Sequence, residues 1–182
     1  MKRNLFFLLT IIIVGCSGNG TKHEDAVKYF VSLAGPLSQS MTSYKEFMTD
    51  FSNCHNSSKQ NGASRLDSMQ LKTVELGLIK FQNSVTDCLM KIDTIGDYDK
   101  SLPLKKMSKA HLVFVDSLLK AFKPKCLYIM KNGFENLTDE YLESLKSIVD
   151  EESKQSSKTD DAFNNFRDKY SITNKDLKQY GL

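Results

Sequence analysis

The side chains best suited to bind a metal are two cysteines and two histidines. Cys54 and His55 are adjacent, and His111 and Cys126 lie in a later stretch of the chain. A structural zinc site needs four ligands that converge on one point, and no local pair among these residues has the required spacing. His55 and His111 fall on apolar stripes, where a histidine is more often a hydrogen-bonded core residue than a ligand. The sequence therefore predicts no metal site and no cofactor.

Motifs of well-known catalytic sites are missing from the chain. It contains no Gly-x-Ser-x-Gly elbow, no phosphate-binding loop, no His-Glu-x-x-His, no Cys-x-x-Cys and no Glu-x-x-His. Glu140 and Glu143 lie three residues apart and could form an acidic site on one face of a helix. Lys146, one turn further, favours a solvated ion-pair face instead. The sequence predicts a protein that is not an enzyme.

Long amphipathic helices must position these side chains. The chain has only three prolines, shows no β alternation, and carries apolar residues at the 3,4 spacing of helices. The first stripe, within residues 24–57, comprises Val27, Phe30, Ala34, Leu37, Met41, Tyr44, Met48, Phe51 and His55. We expect this helix to be kinked at Gly35-Pro36, because proline removes a backbone hydrogen bond. Residues 56–62 are polar and predict a turn.

Three further stripes follow the predicted turn. The second comprises Leu71, Val74, Leu78, Phe81, Val85, Cys88, Ile92 and Ile95; the third comprises Leu104, Met107, His111, Phe114, Leu118 and Phe122; the fourth comprises Leu142, Leu145, Val149, Phe163, Phe166 and Tyr170. Pro124 is expected to kink or end the third helix, and Thr138 is the predicted N-cap of the fourth. The polar middle of the fourth helix, residues 150–161, predicts either projection beyond the core or a break. A short tail helix is predicted from Thr173, with Asp176 in the capping-box position.

Short connections between four helices predict an all-α fold, an antiparallel bundle of about four helices. Cys54 and Cys126 then lie near the C-terminal ends of helices that run the same way, whereas Cys88 lies roughly 25 Å or more away along the bundle axis. If a disulfide forms, Cys54 and Cys126 are the candidate pair, provided that the first and third helices are adjacent.

The N-terminus has the organisation of a secretion signal. A basic start, with Lys2 and Arg3, precedes an apolar run at residues 5–14 that is too short to span a bilayer. The ending, Ile13-Val14-Gly15-Cys16, resembles the lipobox of bacterial lipoprotein precursors. This resemblance covers 16 residues, and no family is recognised for the rest of the chain.

The lipobox resemblance implies cleavage before Cys16 and acylation of that residue. The predicted organisation is a signal peptide at 1–15, a lipidated flexible tether at 16–23 and one helical domain at 24–182. Two or three acyl chains hold a protein firmly on a bilayer. Because Ser17 rather than aspartate follows Cys16, the enterobacterial sorting rule favours the outer membrane, on its periplasmic face or the cell surface.

The distribution of charge argues against one class of partner, nucleic acid. Loss of Lys2 and Arg3 with the signal lowers the formal net charge from +3 to +1, and charges of both signs are interspersed along the chain. Nucleic-acid binding requires a clustered basic face, so no nucleic-acid partner is expected.

The leading hypothesis is a non-enzymatic envelope lipoprotein that acts through contacts with an envelope protein. The alternative is a helical-bundle module that binds a small ligand, lipid or metal in the periplasm.

Overall fold

The structure, a computed structural model, describes residues 22–133 and 138–181. This part of the chain is all-α, as predicted. Its helices are α1 (Lys22–Gln60), α2 (Ser68–Thr94), α3 (Leu104–Asn132), α4 (Asp139–Tyr170) and α5 (Asn174–Lys178). Lys22 and His23, which the sequence assigned to the tether, are already helical. The predicted signal peptide and Cys16 lie outside the described residues.

The four long helices form a helical bundle in which each packs along the next. α1 packs on α2, α2 on α3 and α3 on α4, while α4 and α5 also contact α1. We call the end that holds Lys22 the proximal end and the end that holds Gln60 the distal end. The α2–α3 connection, the end of α4 and α5 lie at the proximal end together with the start of α1.

Side-chain caps define where three of the helices begin. Asp67 accepts hydrogen bonds from the backbone N–H groups of Met69 and Gln70, both at 2.8 Å, and the Gln70 side chain accepts one from the Asp67 N–H. Thr138 caps α4 as predicted. Thr173 and Asp176 form the predicted capping box of α5. These bonds satisfy donors that have no partner within their own helix.

Two predicted interruptions are not breaks in the helices. α1 continues through Pro36 and on to Gln60, so the turn predicted at 56–62 was wrong for residues 56–60. Part of the reason is Ser58, a buried residue whose hydroxyl donates to the Arg65 carbonyl at 2.5 Å. α3 likewise continues through Pro124. The bend predicted at Gly35-Pro36 stays a prediction.

The polar middle of α4 does not break the helix. Across residues 150–161 it remains helical, and part of it packs on α3, where Glu152 approaches His111 with 3.7 Å between carboxylate Oε1 and ring Nε2. His111 of α3 therefore faces the polar stretch of α4.

The hydrophobic core is concentrated at the proximal end and in the middle of the bundle. Phe166 is completely buried, and it contacts the rings of Tyr29, Tyr98 and Tyr170. The main core cluster comprises Ala26, Val27, Phe30, Leu33, Phe81, Val85, Cys88, Ile92, Leu104, Leu112, Ala162, Phe166, Ile172 and Leu177. A separate, smaller cluster of Leu66, Val74 and Met130 lies at the distal end. Core packing is therefore uneven along the bundle.

Within residues 22–133 and 138–181, no helix has both the length and the apolar character needed to cross a membrane.

Candidate functional site

The two cysteines of the predicted pair border the same distal cluster. Cys54 and Cys126 both pack against the cluster of Leu66, Val74 and Met130, and both are free thiols. Burial raises the pKa of the Cys54 thiol, which disfavours the thiolate form. The structure thus brings the two residues to one region, and their disulfide stays a prediction.

Cys88 has a separate, structural environment. It is completely buried and donates a hydrogen bond to the Pro36 carbonyl at 3.0 Å. Pro36 precedes Cys54 by 18 residues, about 27 Å along a helix axis. Cys88 therefore joins α2 to α1 far from the distal cluster.

Tyr141 links the start of α4 to Cys126. The phenol oxygen lies 3.3 Å from the Cys126 sulfur, and the Tyr141 ring contacts Phe122. Burial, with the hydrogen bond to Cys126, raises the Tyr141 pKa well above its usual range. An open cleft of about 340 Å³ lies beside this contact, between α3 and α4. It is lined by Pro124, Lys125, Tyr128, Ile129, Thr138 and Tyr141.

The two histidines of the predicted stripes lie in different surroundings. The His55 ring stacks on Phe51, with centroids 6.0 Å apart. His111 pairs with Glu152, and its Nδ1 atom is buried without a hydrogen-bond partner among the described residues. In that same part of the chain, no group of three or more His, Cys, Asp or Glu side chains is placed to hold a metal ion.

Glu140 and Glu143 are exposed on α4. Neither forms an ion pair with Lys146 or with another residue in the described ranges. The expected ion-pair face is thus acidic and solvated, and its charge is available to an approaching molecule.

Sequence reasoning missed a polar network at the proximal end, centred on Asp99. The carboxylate accepts hydrogen bonds from Lys169 Nζ at 2.5 Å, Ser101 Oγ at 2.7 Å and the Tyr170 hydroxyl at 2.8 Å. The Lys169 ammonium, with the Ser101 and Tyr170 hydroxyls, holds the Asp99 pKa well below its usual range. The hydrogen bond from the Tyr170 hydroxyl to this carboxylate in turn raises the pKa of Tyr170 to about 12. Each polar group is occupied, so the network acts as a clamp between the α2–α3 connection and α4.

His23 extends this clamp to α5. Its Nδ1 lies 2.9 Å from the Tyr170 carbonyl oxygen and its Nε2 lies 3.4 Å from Asp176 Oδ1. Both ring nitrogens face acceptors, so full hydrogen bonding requires the doubly protonated ring. The Tyr170 carbonyl, and then the Asp176 carboxylate, raise the His23 pKa. The spacing of Thr173 and Asp176 predicted the α5 cap, but nothing local in the sequence linked Asp99 or His23 to α4.

The distal half of the bundle leaves predicted core residues exposed. Exposed fractions reach 47% for Met41 on α1 and 64% for Val149 on α4. We define the distal apolar face as the two stripes Met41, Tyr44 and Met48 of α1 and Leu142 and Val149 of α4, all of which are exposed. The corresponding stripes at the proximal end are covered, since Phe30 and Phe166 are buried. The same sequence pattern thus forms core at one end of the bundle and surface at the other.

Comparisons with protein-family models, with curated proteins and with solved structures find no match to this chain.

Proposed function

We propose that this chain is a lipid-anchored lipoprotein of the bacterial envelope that acts by binding another protein, without catalysis of its own. The distal apolar face carries the proposal. Large apolar side chains that are exposed together on one side of a helix, as Met41, Tyr44 and Met48 are on α1, often mark a surface that a partner covers. Its stripes follow the period of a helix core, which suits contact with a further helix.

The lipobox residues support the membrane anchor. In this proposal Cys16 carries the acyl chains and residues 16–21 precede α1. The body is held on the outer membrane, on the periplasmic face or at the cell surface. α1 has 39 residues and is therefore about 58 Å long, which would allow the distal apolar face to stand well away from the lipid surface.

The proposal includes the bend of α1 at Gly35-Pro36. Proline removes the hydrogen bond to the carbonyl four residues earlier, and helices bend at such points. The buried contact between Cys88 and the Pro36 carbonyl lies at the same level of α1. A bend there would direct the distal half of α1 away from α4 and keep the apolar face open.

The alternative, a bundle that encloses a small ligand, has less support. The clefts of about 340 Å³ and 230 Å³ beside α3 and α4 are open to solvent. Small-molecule sites more often bury most of the ligand surface in a concave pocket. An exposed apolar stripe on a long helix is better suited to a protein surface.

Metabolic labelling with an alkyne fatty acid tests the anchor. We expect label on the wild-type chain, none on Cys16→Ala, and full label on the matched control Cys54→Ala. Membrane fractionation should follow the same pattern. An unlabelled wild-type chain that fractionates as a soluble protein would refute the anchored part of the proposal.

Photocrosslinking in living cells tests the protein contact. A photoreactive residue at Tyr44 should give a discrete crosslinked species that contains an envelope protein. The same residue at Met69, which is 81% exposed on α2 outside the face, should not. Equal crosslinking at both positions, or at neither, would contradict a contact through this face.

A further inference from the structure

The alignment of residues between α1 and α4 shows that the distal apolar face lacks a covering helix. His23 contacts the Tyr170 carbonyl, and Phe30 packs edge-on against Phe163 with ring centroids 4.9 Å apart. From the first contact to the second, the chain advances seven residues along α1 and goes back seven residues along α4. Continued toward the distal end, this antiparallel register brings Tyr44 level with Val149. In a closed bundle the two side chains would cover each other, yet both are exposed, and the Tyr44 ring packs instead on Phe81 of α2, with ring centroids 5.5 Å apart.

α3 is less well covered in its middle than at its ends. Leu104 and Leu112, in its proximal half, are buried, and so are Ile129 and Met130 at the distal end. Between them Val113 is exposed and five further apolar residues are only half-buried: Phe114, Val115, Leu118, Leu119 and Phe122. The open side of the distal half is therefore the one between α1 and α4, whereas α3 remains packed at both ends.

Acidic side chains border the open side. Residues 139–152 of α4 contain six acidic side chains and one basic one, Lys146. Of these acids, Asp139, Glu140, Glu143 and Asp150 form no ion pair with any described residue. Across the matching stretch of α1, residues 41–54, two acidic side chains accompany one lysine, and the Asp50 carboxylate lies on the side that faces Gly77 of α2. An occupant of this face therefore meets apolar side chains with a predominantly negative margin on the α4 side.

We propose that the distal apolar face binds an amphipathic helix with a basic polar side, contributed by a partner protein. The inference rests on the proposed function and specifies the chemistry of the partner. A helix of about three to four turns would span the stretch from Met41 to Phe51. Its apolar side would cover Met41, Tyr44 and Val149, and its lysines or arginines would meet the acidic margin. This is the helix-in-groove mode of recognition.

The charge argues against a second copy of this chain as the occupant. Two copies joined through the same face would bring two acidic margins together, and juxtaposed like charges oppose association. A basic helix removes this repulsion.

Binding of a designed peptide to the whole mature chain, residues 16–182 with Cys16→Ser so that no lipid is present, tests the inference. The probe is a labelled helical peptide of about 18 residues made of leucine and lysine, with leucines at helical spacing. Two control peptides have the same length: one shuffles the sequence, and one replaces lysine by glutamate. Fluorescence anisotropy gives the Kd. We expect saturable binding of the first peptide alone, weakened at high salt because charge contributes.

Matched double variants locate the site. We expect Met48→Gln with Val149→Gln to raise the Kd about tenfold or more, since apolar burial supplies much of the affinity. Met69→Gln with Met90→Gln changes two exposed methionines on α2 and should leave the Kd within about twofold, the scatter expected of peripheral contacts. All four positions are exposed, so circular dichroism should show unchanged folding.

Three outcomes would overturn the inference: equal loss of binding in both double variants, equally tight binding of the glutamate peptide, or a stable dimer that only the Met48→Gln, Val149→Gln variant disrupts. Each leaves the anchor untouched. Absence of acyl labelling on the wild-type chain would instead refute the anchored part of the proposed function, and it would not change the result of the peptide-binding experiment. The two failures are therefore distinguishable.

Discussion

His23 is a residue whose charge the structure couples directly to folding. Its ring bridges the Tyr170 carbonyl and the Asp176 carboxylate, and both contacts raise its pKa above 6.5. A histidine with a raised folded pKa stabilises the fold fully below its unfolded pKa, and this stabilisation is lost as pH rises through the folded value. We therefore expect attachment of α5 to weaken as the pH rises above 6.5 and through the folded-state pKa of His23.

An NMR titration of the His23 ring checks this expectation. The measured pKa should exceed 6.5 and should fall in Asp176→Asn, which replaces the charged acceptor by a neutral amide. The Asp176 pKa is lowered to about 2, chiefly by Thr173. The stabilisation that the ionised Asp176 contributes is therefore lost only as the pH falls from about 3.8 toward 2. A His23 pKa at or below 6.5 would show that the bridge is not formed.

A second prediction concerns Asp99, because its hydrogen bond with the Tyr170 hydroxyl raises the Tyr170 pKa. Asp99→Asn should return the pKa of Tyr170 from about 12 toward its usual value near 10. Tyrosine-selective ¹³C NMR during an alkaline titration measures it. The matched control Asp97→Asn changes an exposed neighbouring carboxylate and should leave Tyr170 unchanged. An identical Tyr170 pKa in both variants would contradict the hydrogen bond at 2.8 Å.

Among the helices, apolar periodicity predicted the four long ones, because each stripe repeats over many turns, and the capping pattern of Thr173 and Asp176 predicted the tail helix. Periodicity failed where short-range signals decide the boundary. The polar run at 56–60 was interpreted as a turn, although Ser58 is buried and extends α1. No cap was predicted for α2, whose stripe begins at Leu71, whereas Asp67 and Gln70 form a capping box at its start.

The α2 capping box predicts a defined loss of stability. Asp67→Ala removes the acceptor for two backbone N–H groups and should lower the free energy of unfolding by about 1 kcal/mol. The control Asp87→Ala replaces an exposed residue in the middle of α2, where alanine favours the helix. Urea denaturation should distinguish them. Equal stabilities for the two variants would show that the cap is unimportant.

Periodicity could not predict the candidate binding face. The spacing of Met41, Tyr44 and Met48 matches that of Val27, Phe30 and Ala34, so the sequence pattern predicts burial for both groups. What separates them is whether α4 covers α1 at that level, which depends on packing between helices far apart in sequence. The Asp99–Lys169 contact, 70 residues apart, was missed for the same reason.

At the scale of the whole molecule, the uneven core predicts uneven stability. The proximal end combines the main hydrophobic cluster with the Asp99 and His23 contacts, whereas the distal end has a smaller cluster and an open side. Local opening requires less free energy where fewer apolar contacts must break. The N-terminal half of α4 should therefore open before the rest of the bundle.

Native-state hydrogen exchange, with two variants, measures this difference. Amides of residues 142–152 should exchange faster than those of residues 160–168 in the same helix.

Phe166→Ala should destabilise the whole bundle by about 3 to 5 kcal/mol, because it removes a fully buried ring. Val149→Ala should change stability by no more than about 0.5 kcal/mol, as expected for an exposed site. Addition of the leucine–lysine peptide should then slow exchange in residues 142–152, because a helix on the distal apolar face would cover the side that the bundle leaves open. Uniform exchange along α4 would instead mean that the distal half is as firmly packed as the proximal half, and the open face would lose its physical basis.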